Sequence, residues 1–321
     1  MGCAPKIVVV GVDGSEDSLA ALAWAVDLVG PEGSVHAVHA VHAPTPADQV
    51  RGRLSSDLPA DTETMGAYPT PEERLETWTA SVKASSLAKE TANITGYVVN
   101  SSCSRALLDV AEATEAEMVV VGSHGPARHR SRMVGAAIHS LLHDSDLPVA
   151  VVRSGQGRLV RPGRIMIVGI GSGAATAAAL AWAGSFATAN SLAVRLVHAA
   201  TYQPRPVFNL ERAMKKALEK AAFLFDPEEL RLWAESDLSQ LADDLRSRTG
   251  DASVNVTVTA ELGRPGPVLV TAAEPSDVSL IVMGKHFDSP ITGYFTTSSL
   301  HYVLTHSPCP VVVVPREHDR N

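Results

Sequence analysis

Met118-Val-Val-Val-Gly-Ser-His-Gly125 is an apolar run that breaks into a glycine turn, and its reading decides the fold of this chain. A third glycine, Gly135, follows, and then a second apolar run, Pro148-Val-Ala-Val-Val152. The same frame returns as Leu280-Ile-Val-Met-Gly284 and Pro310-Val-Val-Val-Val-Pro315, with one offset of 162 residues (284 − 122 and 310 − 148). The copy is incomplete, because Phe287 stands in place of Gly125 and Thr297 in place of Gly135. Self-similarity at a fixed offset means that one folding unit is used twice.

Working outward, Lys6-Ile-Val-Val-Val-Gly-Val-Asp13 is echoed by Arg164-Ile-Met-Ile-Val-Gly-Ile-Gly171. The alanine-rich Ser18-Leu-Ala-Ala-Leu-Ala-Trp-Ala25 is echoed by Ala178-Ala-Leu-Ala-Trp-Ala183, two helices suited to close packing on a sheet. Val35 to Val41 and Ala193 to His198 read as second strands, and Gly96 to Asn100 and Val254 to Ala260 as third strands. Helices are expected near Arg105 to Thr114 and Pro267 to Ala273. Aliphatic strands that alternate with helices imply a parallel sheet covered on both faces. The expected fold is therefore α/β: two tandem doubly wound domains, each a five-stranded parallel sheet with helices on both faces. The expected boundaries are residues 1–153 and 164–321, joined by a glycine-rich linker from Arg153 to Gly163. Long insertions fall at 44–70 and 204–248. Pro71-Glu-Glu-Arg74 starts a helix with proline in its first turn and acids suited to the helix dipole.

Composition narrows the function. The 321 residues suit two domains, and 45% hydrophobic with 19% charged residues reads as globular. A net charge of −8 argues against generic nucleic-acid binding, which needs a basic surface. Three scattered cysteines, Cys3, Cys103 and Cys309, suggest neither a disulfide framework nor a zinc site, and a reducing cytoplasm fits best. No run is long and apolar enough for a bilayer span, so no membrane role is expected. Ala4-Pro5-Lys6 fails to complete a myristoylation signal after Met1-Gly2-Cys3.

In an open parallel sheet, ligands bind beyond the carboxyl ends of the strands, where the strand order switches. Gly11 to Ser15 and Gly122 to Gly125 both lie at such ends. Glycines there let backbone amides approach a phosphate, and a helix starting near Gly135 adds the positive end of its dipole. The intervening loop carries His129 and also Arg128, Arg130 and Arg132, whose guanidinium groups pair well with phosphate oxygens. Its counterpart, Asp288 to Thr296, has no basic residue. The bland alternative is that the glycines only turn the chain and the arginines only face solvent. Asp13 suits a ribose or an adenine amino group, or else a helix cap, a role that Ser15 also fits. Gly171 replaces Asp13 in the copy.

The Gly-x-x-Gly-(nine residues)-Gly spacing, the Val-Gly-Val-Asp-Gly-Ser opening and the Pro-Val-Val-Val-Val ending resemble universal stress proteins in tandem form. The resemblance covers nearly all of the chain except the two insertions. It implies ATP or a related adenine nucleotide, with or without Mg2+, held mainly by the first domain. Asp13 would lie near the ribose, Val41 would offer backbone to adenine, and Gly122, Gly125 and Gly135 would cradle phosphates. His124, Arg128, Arg130 and Ala136 complete the expected set. Ala136 and Ile138 stand where ATP-binding members carry phosphate-side hydroxyls. Thr297, Ser298 and Ser299 keep hydroxyls in the second half, but the aspartate and two glycines are gone. The resemblance also implies that Val149 to Val152 pairs with Val311 to Val314 as an internal pseudo-dimer, with a homodimer of chains as a further level.

Other signals carry less. Gly169-Ile-Gly-Ser-Gly-Ala174 has the dinucleotide spacing, yet no acid follows the second strand at Ala199-Ala-Thr201. His36, His39 and His42 look like a metal comb, but alternation on a strand turns His39 away from the others. No nucleophile elbow, catalytic triad or general base is identifiable, so no catalytic or metal residues are assigned. The leading expectation is a nucleotide-binding regulatory protein of the stress response. The alternatives are a ligand-free scaffold for partner binding and a sensor of a less charged molecule near Phe287 and Tyr294.

Overall fold

The computed structural model describes residues 5–41, 69–85, 92–124, 136–156, 160–171, 174–200, 227–249, 254–285 and 299–316. The first half runs β1 (Ile7–Gly11), α1 (Glu16–Val29), β2 (Ser34–Ala40), α2 (Pro71–Ser85), β3 (Asn93–Val99), α3 (Cys103–Ala113), β4 (Met118–Gly122), α4 (Ala136–Asp144) and β5 (Val149–Val152). The second repeats the order: β6 (Ile165–Ile170), α5 (Ala174–Asn190), β7 (Ala193–Ala200), α6 (Pro227–Thr249), β8 (Val256–Leu262), α7 (Pro265–Ala272), β9 (Val278–Gly284), α8 (Ser299–His306) and β10 (Val311–Val314). The third strands start or end a few residues away from their expected bounds. Most of the first insertion, and the second insertion up to residue 226, fall outside the described residues.

The strands form a single ten-stranded sheet in the order β3-β2-β1-β4-β5-β10-β9-β6-β7-β8. Each set of five is parallel, with the order reversing beside β1 in the first half and beside β6 in the second. This is the doubly wound arrangement expected from the alternating pattern. The two sets meet through one antiparallel pair, in which Val311, Val312 and Val313 face Val151, Ala150 and Val149. All eight residues of β5 and β10 are buried, so two apolar edges that would invite foreign strands cover each other.

Strand parity then sorts the core into two layers. Met118 and Val120 of β4 face α1, whereas Val119 and Val121 face α3 and α4. On one side Trp24, Leu75, Phe186 and Leu238 bring in α1, α2, α5 and α6. On the other, Leu107, Leu141, Leu269 and Val303 bring in α3, α4, α7 and α8. Both layers run through the junction of the halves without a break.

Local signals explain where the helices begin. Ser15 caps α1 by accepting the Ser18 amide at 3.2 Å, with Glu16 and Asp17 in the first turn. A capping box opens α2: the Thr70 hydroxyl accepts the Glu73 amide at 3.1 Å, and the Glu73 carboxylate accepts the Thr70 amide at 2.8 Å.

Polar contacts reinforce the junction. Arg153 donates to the Leu304 carbonyl at 2.8 Å, and Gln156 donates to the carbonyls of Ser307 and Cys309 at 3.0 and 2.9 Å. In return, Lys285 donates to the His143 carbonyl at 2.6 Å. His139 of α4 and His301 of α8, equivalent positions in the two halves, stack with ring centroids 5.9 Å apart and planes 10° from parallel. Burial lowers both histidine pKa values. The neighbouring His301 adds to the effect at His139, and His306 adds to it at His301. A depressed folded-state pKa favours the neutral ring, so its contribution is present above the ordinary histidine value and is lost as pH falls through the folded value. Thermal unfolding should therefore show Tm dropping as pH is lowered from about 7.5 to about 5.5, with a shallower drop in a His139→Phe/His301→Phe variant. Equal slopes in the two proteins would exclude this pair as the source.

Candidate functional site

The switch in strand order lies between β1 and β4, and the chain leaving these strands builds a cavity of about 270 Å³ over their carboxyl ends. Val12, Val38, Ala40, Leu107, Val121 and Ile138 give it apolar walls. Asp13, Ser18, His39, Cys103, Ser123 and His124 supply its polar groups.

Asp13 does two jobs at the turn after β1. Its Oδ1 accepts the Ser15 amide at 3.0 Å and the Ser15 hydroxyl at 2.6 Å, which steadies the residue that caps α1. The cap itself is Ser15, and this settles which of the two fills that role. Among the described residues the second oxygen of Asp13 makes no hydrogen bond, and Asp13 lines the cavity. The second half keeps the frame of this turn and loses its acid. Gly171 occupies the equivalent place, and its amide donates to Thr176 Oγ1 at 3.1 Å, as the Asp13 amide does to Ser18 Oγ at 3.3 Å.

Gly122 has a use in packing. A Cβ there would lie 2.6 Å from the Ser18 amide nitrogen and 2.7 Å from the Asp17 carbonyl carbon. At Gly284 it would lie 2.5 Å from the Ala175 carbonyl carbon. In both halves the first helix presses its first turn onto the end of the fourth strand, and only glycine fits. This explains why the copy retains this glycine while losing the other two. His39 follows the same rule: its ring nitrogen bonds the Val12 carbonyl at 2.9 Å, and His198 bonds the Ile170 carbonyl at 2.9 Å. His36 instead meets the Tyr97 hydroxyl at 3.2 Å, so the two described histidines of the comb have separate partners.

The other expected residues divide by location. The Val41 amide is engaged, donating to the Val99 carbonyl at 2.8 Å. Ala136 is the first residue of α4, and Ile138 is buried against the cavity. Gly125, Arg128, Arg130 and Gly135 lie outside the described residues, as do Phe287, Tyr294 and His42.

No local pattern in the sequence singles out Asp17, Ser123 and Arg153, which gather around His124. The Ser123 hydroxyl donates to Asp17 Oδ2 at 2.6 Å, and the His124 Nδ1 lies 2.6 Å from Ser123 Oγ and 3.1 Å from Asp17 Oδ2. The Ser154 amide donates to Asp17 Oδ1 at 2.7 Å, and Arg153 Nε approaches Ser123 Oγ at 3.4 Å. Burial pushes the Asp17 pKa up, but the hydrogen bonds from Ser123, Ser154 and His124 together outweigh it and hold the carboxyl below its usual value. Asp17 thus ties α1 to the ends of β4 and β5. In the second half Ala175, Lys285 and Pro315 replace Asp17, Ser123 and Arg153. At Cys103, desolvation and then the Asp13 carboxylate push the thiol pKa up, the opposite of an activated cysteine.

The sequence profile described as the Universal stress protein family matches residues 5–153 and again 163–315. The chain belongs to the universal stress protein family. Among family members, a universal stress protein of Mycobacterium tuberculosis is 28% identical over 313 residues, covering 95% of this chain and 96% of that protein. A universal stress protein from Archaeoglobus fulgidus has the same fold, with a TM-score of 0.64 at 15% identity over 99% of this chain and 98% of that one. A putative universal stress protein from Pseudomonas aeruginosa aligns with a TM-score of 0.56 at 11% identity over 98% of this chain and 94% of that one. Among the described residues of this universal stress protein, no helix is long and apolar enough to cross a membrane.

The second described cavity, of about 260 Å³, lies between α5 and α6. It is lined by Gly171, Thr176, Ala177, Leu180, Leu241, Asp244 and Leu245, of which Gly171 and Thr176 are the equivalents of Asp13 and Ser18 in the first.

Glycine at the two fourth-strand ends is a stability requirement. Gly122→Ala and Gly284→Ala should each destabilise the protein by about 1–3 kcal/mol through overpacking against backbone. Urea unfolding curves check this, and unchanged midpoints would show that the first helix can retreat without cost.

Proposed function

We propose that residues 1–153 form a unit that binds ATP or a related adenine nucleotide, and that residues 164–321 form its degenerate partner. The protein acts in this reading as a regulator of the stress response through nucleotide occupancy. The observation that carries the reading is the cavity at the β1–β4 switch, whose lining combines apolar walls with Asp13. A purine is flat and apolar on its faces and polar at its edges, and a ribose offers hydroxyls. The Val12, Val38, Ala40 and Leu107 surfaces suit the first, and the second oxygen of Asp13 suits the other. Gly122, Ser123 and His124 lead directly into the loop whose Gly125, Arg128, Arg130 and Gly135 suit a polyphosphate. Magnesium would enter with the phosphates.

The second half supports the assignment by contrast. Gly171 supplies no carboxylate at the matching turn, and the loop after β9 supplies no arginine. Its role in this reading is to bury the β5 edge and hold the first half in shape.

Isothermal titration calorimetry of the full chain with ATP and magnesium is the direct test. Saturable binding with one site per chain is expected. No binding at millimolar ATP would overturn the reading in favour of a partner-binding scaffold. Asp13→Asn retains an acceptor for Ser15 but removes the charge facing the cavity. It should weaken binding by about tenfold or more, the cost of losing a hydrogen bond to a charged group. Unchanged affinity would place the ribose elsewhere.

A further inference from the structure

The network around His124 fixes the position of a proton, and the consequence reaches the ligand. Ser123 Oγ has one hydrogen and gives it to Asp17 Oδ2 at 2.6 Å. A bare His124 Nδ1 would then turn its lone pair towards a carboxylate oxygen at 3.1 Å and a serine oxygen at 2.6 Å, with no hydrogen between them. The arrangement is satisfied only when Nδ1 carries the hydrogen and donates to both. Neutral His124 is therefore held with Nε2 as a bare acceptor. That nitrogen is buried and meets no hydrogen-bond partner among the described residues, and His124 lines the cavity. An acceptor left buried without a donor is costly, and such groups need a reason in a native protein.

The arrangement differs from a hydrolytic triad. Serine and aspartate share the same ring nitrogen, so His124 cannot draw the serine proton towards Nε2, and Ser123 is no nucleophile. What the pair can do is hold an imidazolium. Once Nε2 gains a proton, the ring carries a positive charge that Asp17 balances at Nδ1, and Nε2–H becomes a donor on a residue that lines the cavity. Among the described residues, the other charged or titratable groups close by are Arg153, which approaches Ser123, His39 of β2, and Asp13, linked through Ser15, whose hydroxyl also approaches the His124 carbonyl at 3.1 Å. From α3 comes Cys103, and α4 contributes the uncharged Ala137, Ile138 and Leu141.

We infer that His124 is a proton-linked phosphate ligand: binding of the nucleotide phosphates is coupled to uptake of one proton at Nε2, with Asp17 holding the ring and its charge in place. The inference rests on the nucleotide reading of this cavity. It gives the first half a direct dependence of ligand affinity on pH. The second half keeps a histidine at the equivalent position, His286, but not its surroundings, since Ala175 and Lys285 replace the carboxylate and the hydroxyl.

Calorimetry with magnesium ATP, in pairs of buffers that differ in ionisation heat, counts the protons exchanged on binding. His124→Asn is the comparison, because its amide retains a donor to Asp17 and lacks the second nitrogen. Its use also subtracts the titration of the phosphates themselves. Near pH 7.5 the wild-type protein should take up about 0.5–1 proton more than His124→Asn does. Its affinity should also fall more steeply with rising pH, the two proteins diverging by up to about tenfold per pH unit. Equal proton uptake with ATP bound by both proteins overturns the proposal and leaves the nucleotide reading intact. Absence of ATP binding to the wild type overturns both.

Ring nitrogen-15 NMR of the wild type gives a second reading, independent of whether His124→Asn binds. The free protein should show His124 as the Nδ1–H tautomer, and ATP added at constant pH should convert it to imidazolium. A neutral Nε2–H tautomer, or a ring unchanged by bound ATP, overturns the proposal.

Discussion

The antiparallel pairing of β5 with β10 is the interaction on which the rest of the molecule depends. Each half alone would end its sheet in four buried, aliphatic residues with an open row of backbone groups. Such an edge is prone to pair with any strand it meets. Joining the two edges satisfies both rows and carries the core from one half into the other on both faces of the sheet. The pairing also fixes the surroundings of the loop after β5. Arg153 lies there, and it reaches the Leu304 carbonyl of the second half while approaching Ser123 of the first. The candidate site is thus buttressed across the junction.

On this symmetric frame the chemistry is asymmetric. Groups that solve a folding problem occur twice: Gly122 and Gly284 beneath a helix, His39 and His198 on a strand-end carbonyl, and Ser18 and Thr176 on a turn amide. Of the groups that would meet or orient a ligand, His124 keeps a counterpart in His286, whereas three others occur once. Asp13, Asp17 and Ser123 give way to Gly171, Ala175 and Lys285. Lys285 is reused at the junction, where it donates to carbonyls at the end of α4. The counterpart of a candidate-site residue in the first half thus holds the halves together in the second.

Much of the fold was legible in the residues. Continuous valine runs and alanine-rich helices in strict alternation specify a parallel sheet covered on both sides, and the repeated frame shows that this happens twice. The site was legible in outline, because strand ends and glycines mark where a doubly wound sheet opens. Its working parts were harder to read. Asp17 looks like any first-turn acid of a helix, and Ser123 like a turn residue. Gly122 looked like a phosphate contact, yet what demands glycine there is the backbone of α1 at 2.6 Å. These roles depend on distances between residues more than 100 positions apart, which no local pattern encodes.

The sequence by itself determined the periodicity: which segments are strands or helices, that the unit is duplicated, and that the acid and two of the three motif glycines survive in one copy only. Those properties follow from local geometry and from comparing one half with the other. Only the tertiary structure decided the direction and register in which β5 meets β10, that Ser15 rather than Asp13 caps α1, and how Asp17 and Ser123 meet His124. Each of these depends on partners brought together by packing. The surroundings of His124 Nδ1 are a carboxylate from one element and a hydroxyl from another, and their meeting is a property of the folded chain.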